Sequence, residues 1–308
     1  PKQMVDEIIP FKMENIFHLL TREFDLILSL DKDAAACTLA KLVHAKQKKG
    51  FTINEHGGII PLDKDAKEKW LTGIFDDVMK QNKKHYIQEL FEICGLPWNG
   101  EEYILPEFRE PNPKTNTKTN TNTNTNTKTN IPITLSKDKP IIGFNTGAGD
   151  TWNTRVLSDK KTKEVILALQ QRGYEVLLLG GPEEDEKNKK LASETKAQYY
   201  GVFPFEEFIG LANKCDIILT GVTMALHIAI GLKKKIILLN NIFPTNEFYL
   251  YNCGEILEPD LPCKYCYKPR FDEKCPTTYC MDLISTEKIL QTVDKLLTKE
   301  IVNDTIKA

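Results

Sequence analysis

The segment from Asp216 to Leu239 constrains the fold more than any other. A strand (216–219) runs into a small-residue turn at Gly221 and Thr223, then a short apolar helix carrying His227, then a second apolar strand that ends at Leu239. Strands joined through a helix by short connections lie parallel in one sheet. The rest of residues 137–308 repeats the arrangement. A strand at 141–145 leads through a loop to a helix at 160–172, closed by Gly173. A strand at 174–179 leads through Gly180, Gly181 and Pro182 to a helix at 185–195, and a strand at 198–202 precedes a helix at 205–214. An amphipathic helix at 286–297 closes the series. This alternation predicts an α/β domain on a parallel, doubly wound sheet.

Residues 112–130 interrupt that order. Thr alternates there with Asn or Lys, and with no apolar side chain to bury, nothing offsets the entropy of ordering. The stretch predicts a linker (111–136) between an N-terminal domain (1–110) and a C-terminal domain (137–308). The N-terminal part reads as a strand-like segment at 5–11, a buried strand at 25–30 and a helix at 34–45. A strand near 50–53, a helix at 64–79 and a helix at 85–94 follow, the last closed by Gly95. The pattern is αβ but short of strands for a complete Rossmann half.

A chain of 308 residues is long enough for two such domains. Its net charge of −2 gives no general drive toward nucleic acid, and no polybasic tract points to a membrane surface. No secretory signal and no apolar run of membrane-spanning length is visible. The chain opens on Pro1 without a Met, so its original N-terminus is expected to lie upstream. Cys37, Cys94 and Cys215 stand singly in apolar surroundings and read as core residues. The other five of the eight cysteines fall between Cys253 and Cys280, a cluster better suited to reduced or metal-bound thiols than to a disulfide framework.

In an open α/β sheet, ligands bind at the carboxyl ends of strands, where helix N-termini present free N–H groups. Two loops fit. One is the turn at Gly221 and Thr223; the other follows Asn145 and carries Thr146, Gly147, Ala148 and Gly149 ahead of Arg155. Together they point to a nucleotide or another phosphate-bearing ligand.

Five stretches carry a family resemblance. They are residues 24–30 with Lys41, Gly50 and Phe51; residues 145–152; residues 179–184; Thr223 with His227 and residues 228–230; and the cysteine-bearing stretch 263–281. Each is weak alone. In this order and spacing they resemble glycosyltransferase family 9, the ADP-heptose:lipopolysaccharide heptosyltransferases, over residues 5–297 apart from the linker. The resemblance implies two Rossmann-like domains of the GT-B type facing across a cleft, the N-terminal one incomplete. It implies a C-terminal domain that holds a nucleotide-sugar donor, ADP-heptose, and an N-terminal domain that receives a lipid-linked or glycan acceptor. The reaction it implies is an inverting, metal-independent transfer onto a lipopolysaccharide core or related surface glycan. It further implies a cytoplasmic protein with at most peripheral association at the inner membrane.

Such a transfer needs a base to take the acceptor's proton and cationic or N–H groups at the departing diphosphate. By resemblance, the backbone N–H groups of Thr146, Gly147, Ala148 and Gly149 approach the diphosphate, and Arg155 stands where relatives carry a Lys. Glu184, or its neighbour Glu183, meets the nucleoside, while Thr223, Met224 and His227 complete the donor site. Each has a plainer reading as a tight turn, a surface Arg, helix N-terminal acids or a core His. Two departures matter. Val222 stands where the family has an Asp, and the likeness begins after the strand–helix loop that carries the family's base. About 50–60 residues of a whole domain are therefore expected to be missing. No catalytic residue is assigned, and Asp31 and Asp33 are only weak candidates.

Cys263, Cys266, Cys275 and Cys280 could supply four thiolates to a structural zinc; unligated thiols and a disulfide are the alternatives. No cofactor is required for the transfer itself. Two rival functions stay open: a nucleotide-binding module or remnant without transferase activity, which Val222 favours, and a two-domain sugar-nucleotide epimerase, for which no acid/base set is found.

Overall fold

The computed structural model describes residues 4–112, 133–136, 138–148, 153–266, 268, 273, 275, 277 and 279–298. Most of the expected linker (113–132) and Gly149 lie outside the described residues. The chain divides into two units, Pro1–Glu101 with Pro244–Tyr249, and Glu102–Phe243 with Leu250–Ala308. No described helix is long and apolar enough to cross a membrane.

In the first unit, α1 (Met13–Leu20) buries no residue and leaves Met13 and Phe17 open. β1 (Glu23–Ser29) pairs in parallel with β2 (His44–Ile53), and β2 pairs antiparallel with β3 (Ile59–Pro61). Between β1 and β2 runs α2 (Ala34–Leu42), capped by the Asp33 carboxylate, which accepts from the Ala35 and Ala36 N–H groups. Gly50 is required in β2: its φ is +97°, and a Cβ would stand 2.0 Å from the Ser29 carbonyl oxygen. Cys37, Phe51, Ala66 and Ile93 form the core of this unit.

The expected elements are corrected here in three places. Residues 5–11 form no strand. The helix expected at 34–45 stops at Leu42, because from His44 onward the backbone pairs with β1, His44 opposite Glu23. The helix expected at 64–79 is two, α3 (Lys64–Thr72) and α4 (Asp76–Gln81), the first ending on Gly73. α5 (Tyr86–Cys94) ends on Gly95 in the left-handed conformation, as its sequence predicts.

The second unit carries β4 (Ile141–Asn145), α6 (Asp159–Gln171), β5 (Glu175–Leu179), α7 (Asp185–Thr195) and α8 (Phe205–Asn213). β6 (Ile217–Thr220), α9 (Met224–Gly231), β7 (Lys235–Leu239), β8 (Gly254–Leu257) and α10 (Thr286–Thr298) follow. All five strands are parallel, in the order β5-β4-β6-β7-β8. Two differences from expectation appear. The strand foreseen at 198–202 is a single bridge from Gln198 to Leu177, and β8 adds an edge strand that its short sequence did not announce. β4, β6 and β7 alternate their side chains between two covered faces. Ile142, Phe144, Ile217, Leu219, Ile237 and Leu239 pack with residues of α6 and α10, including Val165, Leu169, Ile289 and Val293. On the other face Gly143 lets Cys215 and Ile218 close in, since a Cβ there would meet their side chains at 2.6 and 2.8 Å.

The first unit also buries a charged triad. Lys69 Nζ donates to Glu89 at 2.7 Å and to Glu247 at 2.8 Å, with all three side chains nearly inaccessible. Removing the shared cation leaves two buried carboxylates facing each other. Lys69→Met is expected to cost about 3–5 kcal/mol, read as a lower urea midpoint at unchanged slope. A midpoint like the wild type's would show that the triad does not hold the unit together.

Candidate functional site

β4 connects to β5 on one side of the sheet, and the chain then crosses back to place β6 on the other side of β4. That reversal opens a crevice at the carboxyl ends of β4 and β6. A cleft of about 650 Å³ lies there. Asn145, Gly147, Ala148 and Arg155 line it from the loop after β4, and Gly180 to Glu184 from the loop after β5. Val202 to Phe205 with Phe208 form another wall, and Val222, Thr223, Met224 and Ala225 a further one.

Asn145 joins two of these walls. It is the last residue of β4, and its side-chain amide lies 3.0 Å from the Gly147 carbonyl oxygen, 3.2 Å from Thr223 Oγ1 and 3.3 Å from Thr220 Oγ1. Thr223 caps α9, its hydroxyl accepting from the Ala225 N–H at 3.2 Å. From the sequence, Asn145 ends a strand and opens the 145–152 stretch, with no role of its own. The signal was present: a polar side chain closing an otherwise apolar run, where it must find buried partners.

The expected donor residues sort into three groups. Gly147, Ala148, Arg155, Glu184, Thr223 and Met224 all line the cleft. The Arg155 guanidinium lies over the Phe243 ring at 5.7 Å, and its Nη1 donates to the Val222 carbonyl at 3.4 Å. Thr146 is buried just behind the wall and donates its hydroxyl to Asn188 Oδ1 at 2.6 Å. His227 lies off the wall: its Nδ1 is 2.9 Å from the Tyr103 hydroxyl, with the two rings stacked at 5.7 Å. Asp31 and Asp33 are occupied in their own loop, where Asp31 accepts from the Asp33 N–H at 2.9 Å and Asp33 caps α2.

Gly147 and Glu184 meet closely. A Cβ on Gly147 would stand 1.9 Å from Glu184 Oε1, so a glycine is what admits the carboxylate. Glu184 Oε2 accepts from the Gly181 N–H at 2.8 Å. Phe203, Phe205 and Phe208 were not singled out from the sequence, because only the fold brings the loop before α8 to this cleft.

The sequence model of glycosyltransferase family 9 (heptosyltransferase) matches residues 14–240. The chain belongs to this family. No curated protein sequence matches it. The glycosyltransferase family 9 protein of Veillonella parvula has a similar fold at 15% identity, with a TM-score of 0.63 over 93% of this chain and 78% of that one. The E. coli heptosyltransferase WaaC with ADP is similar at 12% identity, with a TM-score of 0.53 over 92% and 76%. E. coli ADP-heptose lps heptosyltransferase II matches at 18% identity and a TM-score of 0.42, over 53% of this chain and 48% of that one, about half that protein's length.

The cysteine-bearing stretch lies beside the Arg155 segment. Cys263, Cys266, Cys275 and Cys280, all free thiols, line one cavity of about 30 Å³ together with Thr154 and Asn241. Among the described residues, however, no three His, Cys, Asp or Glu side chains stand at metal-ligating spacing. Asn241 Nδ2 donates to the Thr154 carbonyl at 2.7 Å and lies 3.0 Å from Cys280 Sγ. Thr154 donates its hydroxyl to the Lys268 carbonyl at 2.5 Å, and Ser158 donates to Asp282 at 2.5 and 2.8 Å. The loop that carries Arg155 is thus tied to the cysteine stretch on both sides.

His227 yields a pH prediction. The residue keeps an exposed edge, but its imidazole is desolvated by its neighbours, which holds its pKa below the ordinary value. The unfolded chain therefore takes up this proton first. Its contribution to stability is complete above about pH 6.5 and declines as pH falls through that value toward the lower folded-state one. Between about pH 7 and pH 5 the urea midpoint of His227→Gln is expected to fall less than that of the wild type. Parallel curves would show that the ring titrates as it does in the unfolded chain.

Proposed function

We propose that this chain transfers a sugar, heptose from ADP-heptose, onto a lipopolysaccharide core or related surface glycan, with inversion and without a catalytic metal. The observation that carries the donor site is how charge is sorted around the cleft. α7 opens with Asp185 and Glu186 just after Glu183 and Glu184, and α8 opens with Glu206 and Glu207. α9 has no acid in its first turn. A diphosphate is repelled at the first two helix N-termini and favoured at the third, where Thr223 and Arg155 also line the cleft. Glu184, at the acidic end, suits ribose hydroxyls, which can donate to it. The leaving diphosphate then has backbone N–H groups and one guanidinium for its charge. The choice of adenine and heptose follows the similar E. coli heptosyltransferase WaaC, whose structure holds ADP. Work at the cytoplasmic face of the inner membrane, with peripheral association at most, belongs to the same proposal.

Val222 favours a second reading. It lines the cleft where family members present a carboxylate to the sugar, and an isopropyl group accepts no hydrogen bond. A nucleotide-binding module without transfer would look the same in this region. Calorimetry with ADP and ADP-heptose, followed by product analysis with acceptor, separates the two. The transferase reading expects ADP binding weakened about 10- to 100-fold by Arg155→Ala, the range of a charged hydrogen bond, with product formed by the wild type. Binding without product supports the module, and no binding of either nucleotide ends both.

A structural zinc on Cys263, Cys266, Cys275 and Cys280 completes the proposal. Four thiolates around one small cavity are a donor set that zinc accepts, although among the described residues no three stand at ligating spacing. Its part would be to brace the loop that carries Arg155, with no step in the transfer. Purified protein is expected to carry stoichiometric zinc that Cys263→Ser with Cys266→Ser removes. Metal-free protein of unchanged stability would end this element alone.

A further inference from the structure

The geometry points to Phe205 as a stacking platform for the donor's nucleobase, which makes it a specificity-determining residue of this cleft. The inference rests on the donor reading above. Phe205 is the first residue of α8 and is 44% exposed, while Phe203 and Phe208, at 7% and 8%, are packed away; all three line the cleft. Exposed rings occur elsewhere, Phe11, Phe17 and Phe75 being more open, but among the aromatic residues that line the cleft only Phe205 presents its ring to it.

The surroundings say what would cover it. The wall from Val202 to Phe205 with Phe208 presents only apolar side chains, and Pro182 with Gly180 and Gly181 lines the cleft from the loop after β5. Side chains of this kind offer a planar ring a face and edges to rest on, and no donor or acceptor to read its rim. Glu206 and Glu207 directly follow Phe205, so a phosphate or a carboxylate is disfavoured at this end. A neutral, flat, polarisable group fits both conditions. With ribose at Glu184 and the diphosphate toward Arg155 and Thr223, the base, which hangs from the ribose, falls to this wall, while the transferred sugar lies beyond the diphosphate.

Recognition by face rather than by rim has a consequence. Stacking scales with ring area, so a purine gains more than a pyrimidine, and the preference should reside in the aromatic ring of Phe205. Calorimetry tests it with ADP, UDP and ribose 5-diphosphate, on the wild type and on Phe205→Ala and Phe205→Trp. Phe205→Ala is expected to weaken ADP about 5- to 150-fold, the range of one base–aromatic stack, bringing it toward ribose 5-diphosphate. The affinity for ribose 5-diphosphate should be unchanged, which also reports an intact fold. The preference for ADP over UDP should shrink in Phe205→Ala and persist in Phe205→Trp. No loss of ADP affinity, or an equal loss for ADP and ribose 5-diphosphate, would overturn the platform and leave the donor site standing. A wild type that binds none of the three would overturn the donor site, and the platform with it.

Discussion

The C-terminal unit depends on how β4 is placed. It is the strand from which the chain leaves in one direction and to whose other side it returns, so its carboxyl end must open into a crevice. A crevice between two loops does not keep its shape unaided. Asn145, nearly buried at the tip of β4, supplies the tie: one side-chain amide within reach of the Gly147 carbonyl and the hydroxyls of Thr220 and Thr223. Those two hydroxyls are themselves 3.1 Å apart, and Thr223 in turn caps α9. A short polar network thus fixes both walls and the direction in which the N-terminus of α9 points. Every proposal made for the cleft assumes that network.

Reinforcement comes from behind. The loop bearing Arg155 has its Thr154 carbonyl held by Asn241 and its Thr154 hydroxyl bonded to Lys268, while Ser158 bonds to Asp282. Glu258 accepts from Asn240, Lys264 and Tyr265, so the cysteine stretch is itself anchored to the ends of β7 and β8. If the guanidinium meets a diphosphate, as proposed, it would gain from such support, since each degree of freedom removed beforehand is entropy not lost on binding. The four thiols line the same small cavity as Thr154, the residue before Arg155.

How far this was legible in the sequence depended on whether the decisive contacts were local. α7, its bounds 185–195 foreseen to the residue, follows Gly180, Gly181 and Pro182 and opens on acids, and the apolar runs from Ile141 and Ile236 are as plain. The end of α7, on Lys196 in the left-handed conformation, has no glycine to mark it. Where a partner strand decides, the reading failed. The polar stretch from His44 to Lys49 has no strand-like alternation and became β2 because β1 lay beside it; the run from Gln198 made one bridge. In the cleft, the loops that follow apolar strands were recognisable because glycines and Thr223 mark them. Phe205 was not, since an aromatic at a helix start is ordinary until the fold brings it opposite Glu184's loop.

Gly147 has a role that residue type alone does not show. A glycine in a loop after a strand invites the reading that its N–H meets a phosphate. Yet the space a side chain would need is taken by the Glu184 carboxylate, 1.9 Å from where a Cβ would stand. A phosphate placed against that carboxylate would face like charge at contact distance, at a cost of several kcal/mol at an effective dielectric near 20. The two roles cannot share one spot. If Glu184 keeps its bond to the Gly181 N–H, the diphosphate belongs farther along, toward Ala148, Arg155 and Thr223, and Gly147 acts by its absence of a side chain. Under the proposed function the glycine would then serve the nucleoside end of the ligand, and the guanidinium the end where the bond breaks.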